Sequence, residues 1–318
     1  MDSLKKIAVC SRSFSRNIIL RNELNDKYER VRFNDDGLKL DGETLIDYLE
    51  GKTHAITALE IIDDYVLSKL PELQVISKYG VGLDMIDLQA MLKHNVKLGW
   101  TGGINRRSVS ELVISFAIAL LRHVPKCHKG ALEGKWGQHF GRQLSGKTVG
   151  IIGCGYVGKD LVKLLQPFDC SVIVNDIKYF DEFYKHYNIK AVDQEELLTK
   201  SDIVTLHTPL DDSTRNMLSA ERLSLMSSDA ILINTARGGI IDEDALKKML
   251  TDGKLGGAAF DVFSIEPPED KELLKLSNFI VTPHIGGSSN EAIMAMGRAA
   301  INGLEKNNYT SSFRLKEQ

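Results

Sequence analysis

Residues 148–165 of the 318-residue chain read TVGIIGCGYVGKDLVKLL, and no other segment indicates the fold as clearly. Its first five residues, Thr148–Ile152, are mostly apolar and β-branched, which is typical of a buried parallel strand. Three glycines follow in a G-x-G-x-x-G pattern, at Gly153, Gly155 and Gly158, and a helix-like segment comes next. A strand, a glycine-rich turn and a helix in this order predict the phosphate-binding start of a dinucleotide-binding domain.

Each glycine has a separate physical task in such a turn. The first permits the tight turn, the second lets the backbone approach a pyrophosphate, and the third lets helix and strand pack closely. The phosphates would then lie at the N-terminus of the helix, where free N–H groups and the helix dipole favour an anion.

Asp176 is the predicted ribose-binding carboxylate. It follows a second strand-like run and lies 18 residues after Gly158, close to the spacing of about 20 that is typical of this motif. A carboxylate there repels a 2′-phosphate, so we predict NAD rather than NADP, although Lys178 could assist a phosphate.

The rest of the chain alternates short apolar runs with helix-like segments, which is the α/β pattern. We predict two doubly wound parallel-sheet lobes, a Rossmann dinucleotide-binding domain and a flavodoxin-like domain. The predicted strands lie at 7–10, 31–33, 55–58, 75–77, 96–99, 148–152, 172–175, 203–207, 231–234, 258–262 and 279–282. A helix is predicted at 61–70, and another at 291–304 returns to the first lobe. We therefore expect one domain from 1–100 with 288–318 and a second from 101–287, with a loosely held polar tail after Asn307.

Composition excludes several classes of protein. Hydrophobic residues make up 43% and charged residues 26% of the chain, with a net charge of −3, so nothing drives a global attraction to nucleic acid or to an anionic membrane. No apolar run reaches the roughly 18–20 residues that span a bilayer, and the N-terminus lacks a signal-peptide pattern. The four cysteines are not closely spaced, which predicts reduced thiols and a cytoplasmic location. We predict no metal site, because the sequence has no cluster of ligand residues at metal-binding spacing.

Three residues with complementary chemistry follow separate strands of the second lobe. Arg237, Glu266 and His284 each come after a predicted strand, and the carboxyl ends of parallel strands meet at one edge of a sheet. A guanidinium binds and polarises a 2-oxo acid. An imidazole transfers a proton near neutral pH, and a carboxylate fixes its tautomer and stabilises its protonated form. With a nicotinamide cofactor, this set predicts hydride transfer between NAD and a 2-hydroxy or 2-oxo acid.

Structural roles are the alternatives for the same residues. Arg237 could be a surface arginine, Glu266 a turn residue and His284 a buried hydrogen-bonded histidine. For His207 we favour lining the site over chemistry, and we interpret Cys154 as a packing residue.

The chain resembles the D-isomer-specific 2-hydroxyacid dehydrogenase family, and most of all its phosphoglycerate dehydrogenase branch. The resemblance covers roughly residues 55–305. It is carried by the cofactor motif and by four further motifs, HTPLDDSTRNMLSAERLSLM (207–226), INTARGGIIDEDAL (233–246), AAFDVFSIEPP (258–268) and VTPHIGGSS (281–289).

The resemblance implies residue roles and an assembly. The catalytic residues would be Arg237, Glu266 and His284. Beyond Gly153, Gly155 and Gly158, the implied nucleotide contacts are Tyr156, Val157, Asp176, His207, Thr208, Pro209, Thr235, Ala236, Arg237, Asp261, His284, Gly286 and Gly287. The implied substrate residues are Tyr79, Gly80, Val81, Gly82 and Arg237, with backbone N–H groups around Val81 and Gly82 holding the substrate carboxylate. The family also implies a substrate domain built from both chain ends, and a homodimer or homotetramer.

The substrate is less sharply defined than the reaction. We expect 3-phosphoglycerate first, but dehydrogenases of that branch typically carry arginines after the strand that here ends at Thr57, whereas this chain reads ALEIIDD at 58–64. Lys78, Arg106 and Arg107 are the remaining candidates for a phosphate contact. The alternatives are a glyoxylate or hydroxypyruvate reductase and, in another class, an NAD-sensing binding protein similar to the family's transcriptional co-repressors. We expect no serine-sensing regulatory domain after the returning helix.

Overall fold

The structure is a computed structural model that describes residues 5–311. These residues divide into two compact units. The terminal unit comprises the described residues up to Asn105 and those from Asn290, and the central unit comprises Arg106–Ser289. Both divisions fall a few residues beyond the predicted positions, 100 and 287.

The terminal unit is built on a five-stranded, entirely parallel sheet with the strand order β2-β1-β3-β4-β5. This is the flavodoxin-like order, as predicted. Numbered along the whole chain, its strands are β1 (Ile7–Val9), β2 (Val31–Phe33), β3 (His54–Thr57), β4 (Val75–Lys78) and β5 (Lys97–Gly99), and its helices are α1 (Arg12–Arg16), α2 (Ile18–Asn25), α3 (Gly42–Leu49), α4 (Asp64–Ser68), α5 (Leu88–Lys93) and α14 (Asn290–Gly303).

Helix α14 covers strand β4 of this sheet, so both ends of the chain form one core. The hydroxyl of Ser77, in the middle of β4, is buried and donates to the carbonyl of Ala300 at 2.6 Å. Ala300 and Ile301 join residues of β1 and α2 in a single apolar cluster.

Two local predictions for the terminal unit are wrong. The helix expected at 61–70 begins only at Asp64, because the Asp63 side chain caps it by accepting from the N–H of Val66. Residues 308–311, the described part of the tail that was predicted to be loose, are held: Asn308 and Leu98 exchange backbone hydrogen bonds, and the buried Thr310 hydroxyl donates to the carbonyl of Leu88. The part of the predicted tail from 312 to 318 lies outside the described residues.

The central unit is built on a seven-stranded, entirely parallel sheet with the order β12-β11-β10-β9-β6-β7-β8. Counted within the unit, this is the 3-2-1-4-5-6 order of a Rossmann fold with one added strand. Its strands are β6 (Thr148–Ile152), β7 (Ser171–Asn175), β8 (Lys190–Ala191), β9 (Ile203–Leu206), β10 (Ile231–Asn234), β11 (Gly257–Phe260) and β12 (Phe279–Val281), and its helices are α6 (Arg106–Leu121), α7 (Val124–Leu132), α8 (Tyr156–Leu165), α9 (Asp181–His186), α10 (Gln194–Lys200), α11 (Ala220–Leu223), α12 (Glu243–Thr251) and α13 (Lys271–Lys275).

Helix α6 packs against α8 and is held there by an ion pair between Arg107 and the largely buried Asp160. Its apolar face, with Val113 and Phe116, belongs to the core of the central unit. Within residues 5–311 no single helix is long and apolar enough to cross a membrane; α6 and α7 reach that length only as a pair bent by 63°.

Candidate active site and cofactor site

The glycine loop between β6 and α8 is shaped by close backbone approaches. Gly153 has φ +94°, and a Cβ there would lie 2.7 Å from the carbonyl oxygen of His207. A Cβ at Gly158 would lie 2.4 Å from the oxygen of Gly153, so only glycine lets helix and strand pack this closely. Gly155 caps α8 and has open space where a side chain would be. The exposed Tyr156 and the half-buried Val157 form the first turn of α8.

Asp176, directly after β7, lies beside this loop. Its carboxylate accepts hydrogen bonds from the backbone N–H groups of Cys154 and Lys178. Cys154 itself is fully buried, and burial raises the pKa of its thiol to about 11, which agrees with a packing role. The structure thus brings the predicted ribose-binding carboxylate to the predicted phosphate loop.

The loops after β9 and β10 present polar groups that lack protein partners. The hydroxyls of Thr208 and Thr235 are buried and have no hydrogen-bond partner within the described part of the chain. Buried hydroxyls normally find a partner, and a bound dinucleotide would supply one. His207 bonds to Thr205 at 3.1 Å, and burial lowers the pKa of its imidazole to about 3, so it is neutral at physiological pH. Pro209 continues this loop at the surface.

Taken together, the open helix start, the carboxylate and the unpartnered hydroxyls fit a dinucleotide. Gly153, Gly155 and Gly158 would hold its phosphates, and Asp176 its ribose. These residues all come from one unit, at the carboxyl ends of adjacent parallel strands, which is where nucleotides bind in such sheets.

Arg237 lies in a tight loop after β10. Its guanidinium Nη1 donates to the carbonyl of the buried Ala236 at 2.7 Å. The side chain of Asn234, the last residue of β10, closes the loop by accepting from the N–H of Ala236 at 3.0 Å and donating to the carbonyl of Arg237 at 2.8 Å. A Cβ at Gly238 would lie 1.9 Å from the carbonyl carbon of Phe263, so this loop contacts the loop after β11 directly.

Glu266 and His284 form the predicted pair. His284 Nδ1 lies 2.9 Å from one carboxylate oxygen of Glu266, and the other oxygen accepts from the N–H of Phe263 at 3.1 Å. The carboxylate is therefore fixed by its own loop, and it fixes the imidazole in turn. About half of the His284 side chain is exposed, which leaves Nε2 available to a reactant.

Asp261, directly after β11, holds the loop that carries His284. One oxygen of its buried carboxylate accepts from the Thr282 hydroxyl and from the N–H of Ile285, and the other accepts from the N–H of Gly286. Its backbone carbonyl accepts from the N–H of His284 at 2.9 Å. Both carboxylate oxygens of this predicted nucleotide residue are thus engaged with the loop, which continues to Gly287.

The predicted substrate loop lies in the terminal unit, after β4. The backbone N–H groups of Val81 and Gly82 have no hydrogen-bond partner among residues 5–311, as a carboxylate-binding loop requires. Gly80 has φ +132°, and the Val81 carbonyl accepts from the indole of Trp100 at 2.9 Å.

The side chain of Tyr79, a predicted substrate residue, lies in the core below the loop. Its ring is buried and packs edge-on against Phe14, with 5.4 Å between the ring centroids. Its N–H donates to the carbonyl of Thr57 at 2.7 Å, and its hydroxyl bonds to Ser13 while burial raises its pKa. Tyr79 therefore supports the loop from the core.

Sequence reasoning missed one residue of the Arg237 loop. Asn234 belongs to the quoted motif INTARGG, but it reads there as the last residue of a strand. A buried polar residue at a strand end that precedes a proposed ligand-binding loop was the available signal.

Comparison with known proteins assigns the family. The model of the D-isomer specific 2-hydroxyacid dehydrogenase NAD binding domain matches residues 114–286. The chain is 37% identical over 244 residues to D-3-phosphoglycerate dehydrogenase of Methanocaldococcus jannaschii, covering 76% of this chain and 47% of that one. It therefore spans about half the length of that relative.

A plant relative matches over nearly the whole length of both chains. Glyoxylate/hydroxypyruvate reductase A of Arabidopsis thaliana is 32% identical over 316 residues, covering 96% of each chain. The crystal structure of D-lactate dehydrogenase from Aquifex aeolicus, complexed with NAD and lactic acid, shares the fold, with a TM-score of 0.81, 24% identity and 93% coverage of each chain. We conclude that the chain belongs to the D-isomer specific 2-hydroxyacid dehydrogenases, a family of NAD-dependent oxidoreductases that act on hydroxy acids.

Proposed function

We propose that this protein transfers hydride between NAD and a small 2-hydroxy or 2-oxo acid. The observation that carries the proposal is the 2.9 Å contact between His284 and Glu266, on the same sheet edge as Arg237 and the nucleotide loop. NAD supplies the hydride acceptor or donor when it is bound.

The three side chains divide the work. Arg237 binds the acid's carboxylate and polarises its 2-oxo group, because a guanidinium donates in a planar fork. His284 exchanges a proton with the substrate oxygen through Nε2, because Nδ1 is engaged by Glu266. Glu266 holds the imidazole in this tautomer and stabilises its protonated form.

For the substrate, we place glyoxylate or hydroxypyruvate ahead of 3-phosphoglycerate. A phosphate needs a cation, and two of the candidates are engaged elsewhere. Lys78 is buried and its ammonium donates to the carbonyl of Ala58, and Arg107 pairs with Asp160. The end-to-end match with the plant glyoxylate/hydroxypyruvate reductase also favours this choice.

A panel of 2-oxo acids tests the proposal. Glyoxylate, hydroxypyruvate, 3-phosphohydroxypyruvate and pyruvate are each offered with NADH, and cofactor absorbance is followed. We expect the highest kcat/KM for glyoxylate or hydroxypyruvate. A higher value for the phosphorylated acid would restore phosphoglycerate as the substrate.

The co-repressor-like alternative predicts a different result. Such a protein would bind NADH, detected by a change in NADH fluorescence, without turning over any acid of the panel. Binding without turnover would therefore overturn the enzymatic proposal and favour a sensing role.

A further inference from the structure

We propose that Asn234 is a positioning residue that sets the orientation of Arg237 for binding the 2-oxo acid. The inference rests on the proposed function for the role of Arg237. The contacts of Asn234 are properties of the central unit alone.

Asn234 holds the Arg237 loop at two points. Its Oδ1 accepts from the N–H of Ala236 at 3.0 Å, and its Nδ2 donates to the carbonyl of Arg237 at 2.8 Å. The guanidinium of Arg237 in turn donates to the carbonyl of Ala236 at 2.7 Å. The asparagine thus anchors the backbone on both sides of the peptide group that supports the arginine side chain.

Asn234 is itself rigidly placed. It is buried, it ends strand β10, and its backbone carbonyl accepts from the N–H of Asp261 at 2.9 Å. Asp261 in turn holds the loop of His284. The hydrogen bond between Asp261 and Asn234 therefore connects the residue that holds the Arg237 loop with the residue that holds the His284 loop.

Few side chains could replace asparagine here. The site needs an acceptor for the N–H of Ala236 and a donor to the carbonyl of Arg237, both at the same distance from the backbone of residue 234. The side-chain amide of asparagine offers both. Aspartate keeps the acceptor but turns the donor into a second acceptor facing the Arg237 carbonyl. Alanine removes both bonds, so the loop loses its closure.

The first test measures Asn234→Ala and Asn234→Asp with the preferred 2-oxo acid of the panel. A shift of reacting groups by about 1 Å costs on the order of 100-fold in rate. We therefore expect kcat/KM to fall by roughly 10- to 100-fold, mainly through KM. The Kd for NADH should rise by a smaller factor, because Thr235 of the same loop is one predicted nucleotide contact whereas the phosphate loop is untouched.

A double-mutant cycle shows whether Asn234 acts through Arg237. If it does, Asn234→Ala in an Arg237→Lys background lowers kcat/KM by less than about threefold, because the oriented guanidinium is already gone. The same loss in both backgrounds, or an equal loss of NADH affinity, would overturn the positioning role.

Asn34 provides a matched control in the terminal unit. It is also buried, accepts from the N–H of Leu38 and donates to the carbonyls of Cys10 and Leu38. Asn34→Ala should lower the melting temperature without raising KM. If Asn34→Ala raises KM as much as Asn234→Ala, general destabilisation explains both and the proposal fails.

Hydrogen exchange separates this inference from the proposed function. Asn234→Ala should speed exchange of the Ala236 amide in the NADH-bound protein, whatever the substrate. If the Ala236 amide exchanges at the same rate in Asn234→Ala as in the unmodified protein, the inference is wrong. If the unmodified protein protects the Ala236 amide but turns over no acid of the panel, only the proposed function is wrong.

Discussion

His284 adopts a backbone conformation that non-glycine residues rarely adopt. Its φ is +55°, in the left-handed region, which costs roughly 1–2 kcal/mol for a residue with a side chain. Asp261 offsets this cost through the three hydrogen bonds its carboxylate accepts from the 282–286 loop. At the scale of the residue, a buried carboxylate stabilises the conformation that presents the imidazole.

Replacing His284 tests its proton-transfer role. His284→Ala should lower kcat by about 10²- to 10⁴-fold, which is the usual contribution of a positioned acid–base group, and NADH should still bind. Steady-state kinetics and NADH fluorescence measure the two effects. His94, which bonds to Asp64 at 2.7 Å in the terminal unit, gives a control histidine–carboxylate pair, and His94→Ala should keep its kcat. Full activity in His284→Ala would remove the histidine from the reaction.

Asp176 should determine the choice of cofactor. Asp176→Asn keeps an acceptor for the Cys154 N–H but removes the charge, so a 2′-phosphate is no longer repelled. We expect the ratio of kcat/KM for NADH to that for NADPH to fall about tenfold, or ~1.4 kcal/mol, with a further fall in Asp176→Ala. An unchanged ratio in both variants would show that the ribose is recognised elsewhere.

His207 should make stability depend on pH. Burial lowers the pKa of this imidazole to about 3, whereas the unfolded value is about 6.5. The unfolded chain therefore binds more protons between these values, so the stabilisation is complete above pH ~6.5 and declines as pH falls. Urea unfolding should show a slope approaching ~1.4 kcal/mol per pH unit from this group, and His207→Gln should flatten it. Equal slopes for both proteins would contradict the burial argument.

At the scale of elements, the candidate site is a set of loops after neighbouring strands. Strands β10, β11 and β12 are adjacent in the sheet, and their loops carry Arg237, Glu266 and His284. Gly238 approaches the backbone of Phe263 so closely that no side chain fits between the loops after β10 and β11. The distances between the three side chains therefore depend on residues such as Gly238 and Phe263, which take no part in the reaction.

Gly238→Ala should push the first two loops apart. The added Cβ would lie 1.9 Å from the carbonyl carbon of Phe263, and such overpacking costs about 1–3 kcal/mol. We expect a lower melting temperature and a kcat/KM reduced by about 100-fold. Gly137, where a Cβ meets nothing within 4 Å in its own chain, is the control for the kinetics, and Gly137→Ala should keep the kcat/KM of the unmodified protein. Normal kinetics in Gly238→Ala would show that the loops tolerate separation.

Local patterns predicted the strands, the glycine loop and the three catalytic candidates, because each depends on short-range periodicity or on a strand end. Strand β8 was missed because it has only two residues, Lys190 and Ala191, and both are exposed. Asn234 was overlooked, and the burial of the Tyr79 ring was not foreseen, for a related reason. Whether a polar side chain faces a ligand or satisfies its own backbone depends on tertiary contacts that the linear order of residues does not contain.

At the scale of the molecule, one segment of the central unit leaves its large apolar side chains exposed. Helix α7 has no buried residue, and the segment 133–140 that follows it has no regular secondary structure. Three large apolar side chains here are 76–96% exposed: Leu132, Trp136 and Phe140. Aromatic side chains bury about 150–250 Å² each, so the two aromatic residues of this segment supply roughly 300–500 Å² of the ~800 Å² that each partner contributes to a standard interface.

The resemblance implies a homodimer or homotetramer, and this segment is the surface that a second copy of the chain would cover. The double variant Trp136→Ser/Phe140→Ser should shift the protein from dimer to monomer, measured by size-exclusion chromatography with light scattering. Ile18→Ser, which changes another exposed apolar residue, should leave the mass unchanged. A monomeric unmodified protein would overturn the proposal, and a tetramer that survives the double variant would place the interface elsewhere.

The contact between Ser77 and Ala300 has a consequence for biosynthesis. A ribosome releases all five strands of the first sheet before any of the nucleotide-binding unit, yet the helix that covers β4 emerges only after that whole unit has been translated. The terminal unit is thus begun first and completed last, and the surface of β4 that α14 covers stays open in a nascent chain until that helix has been made.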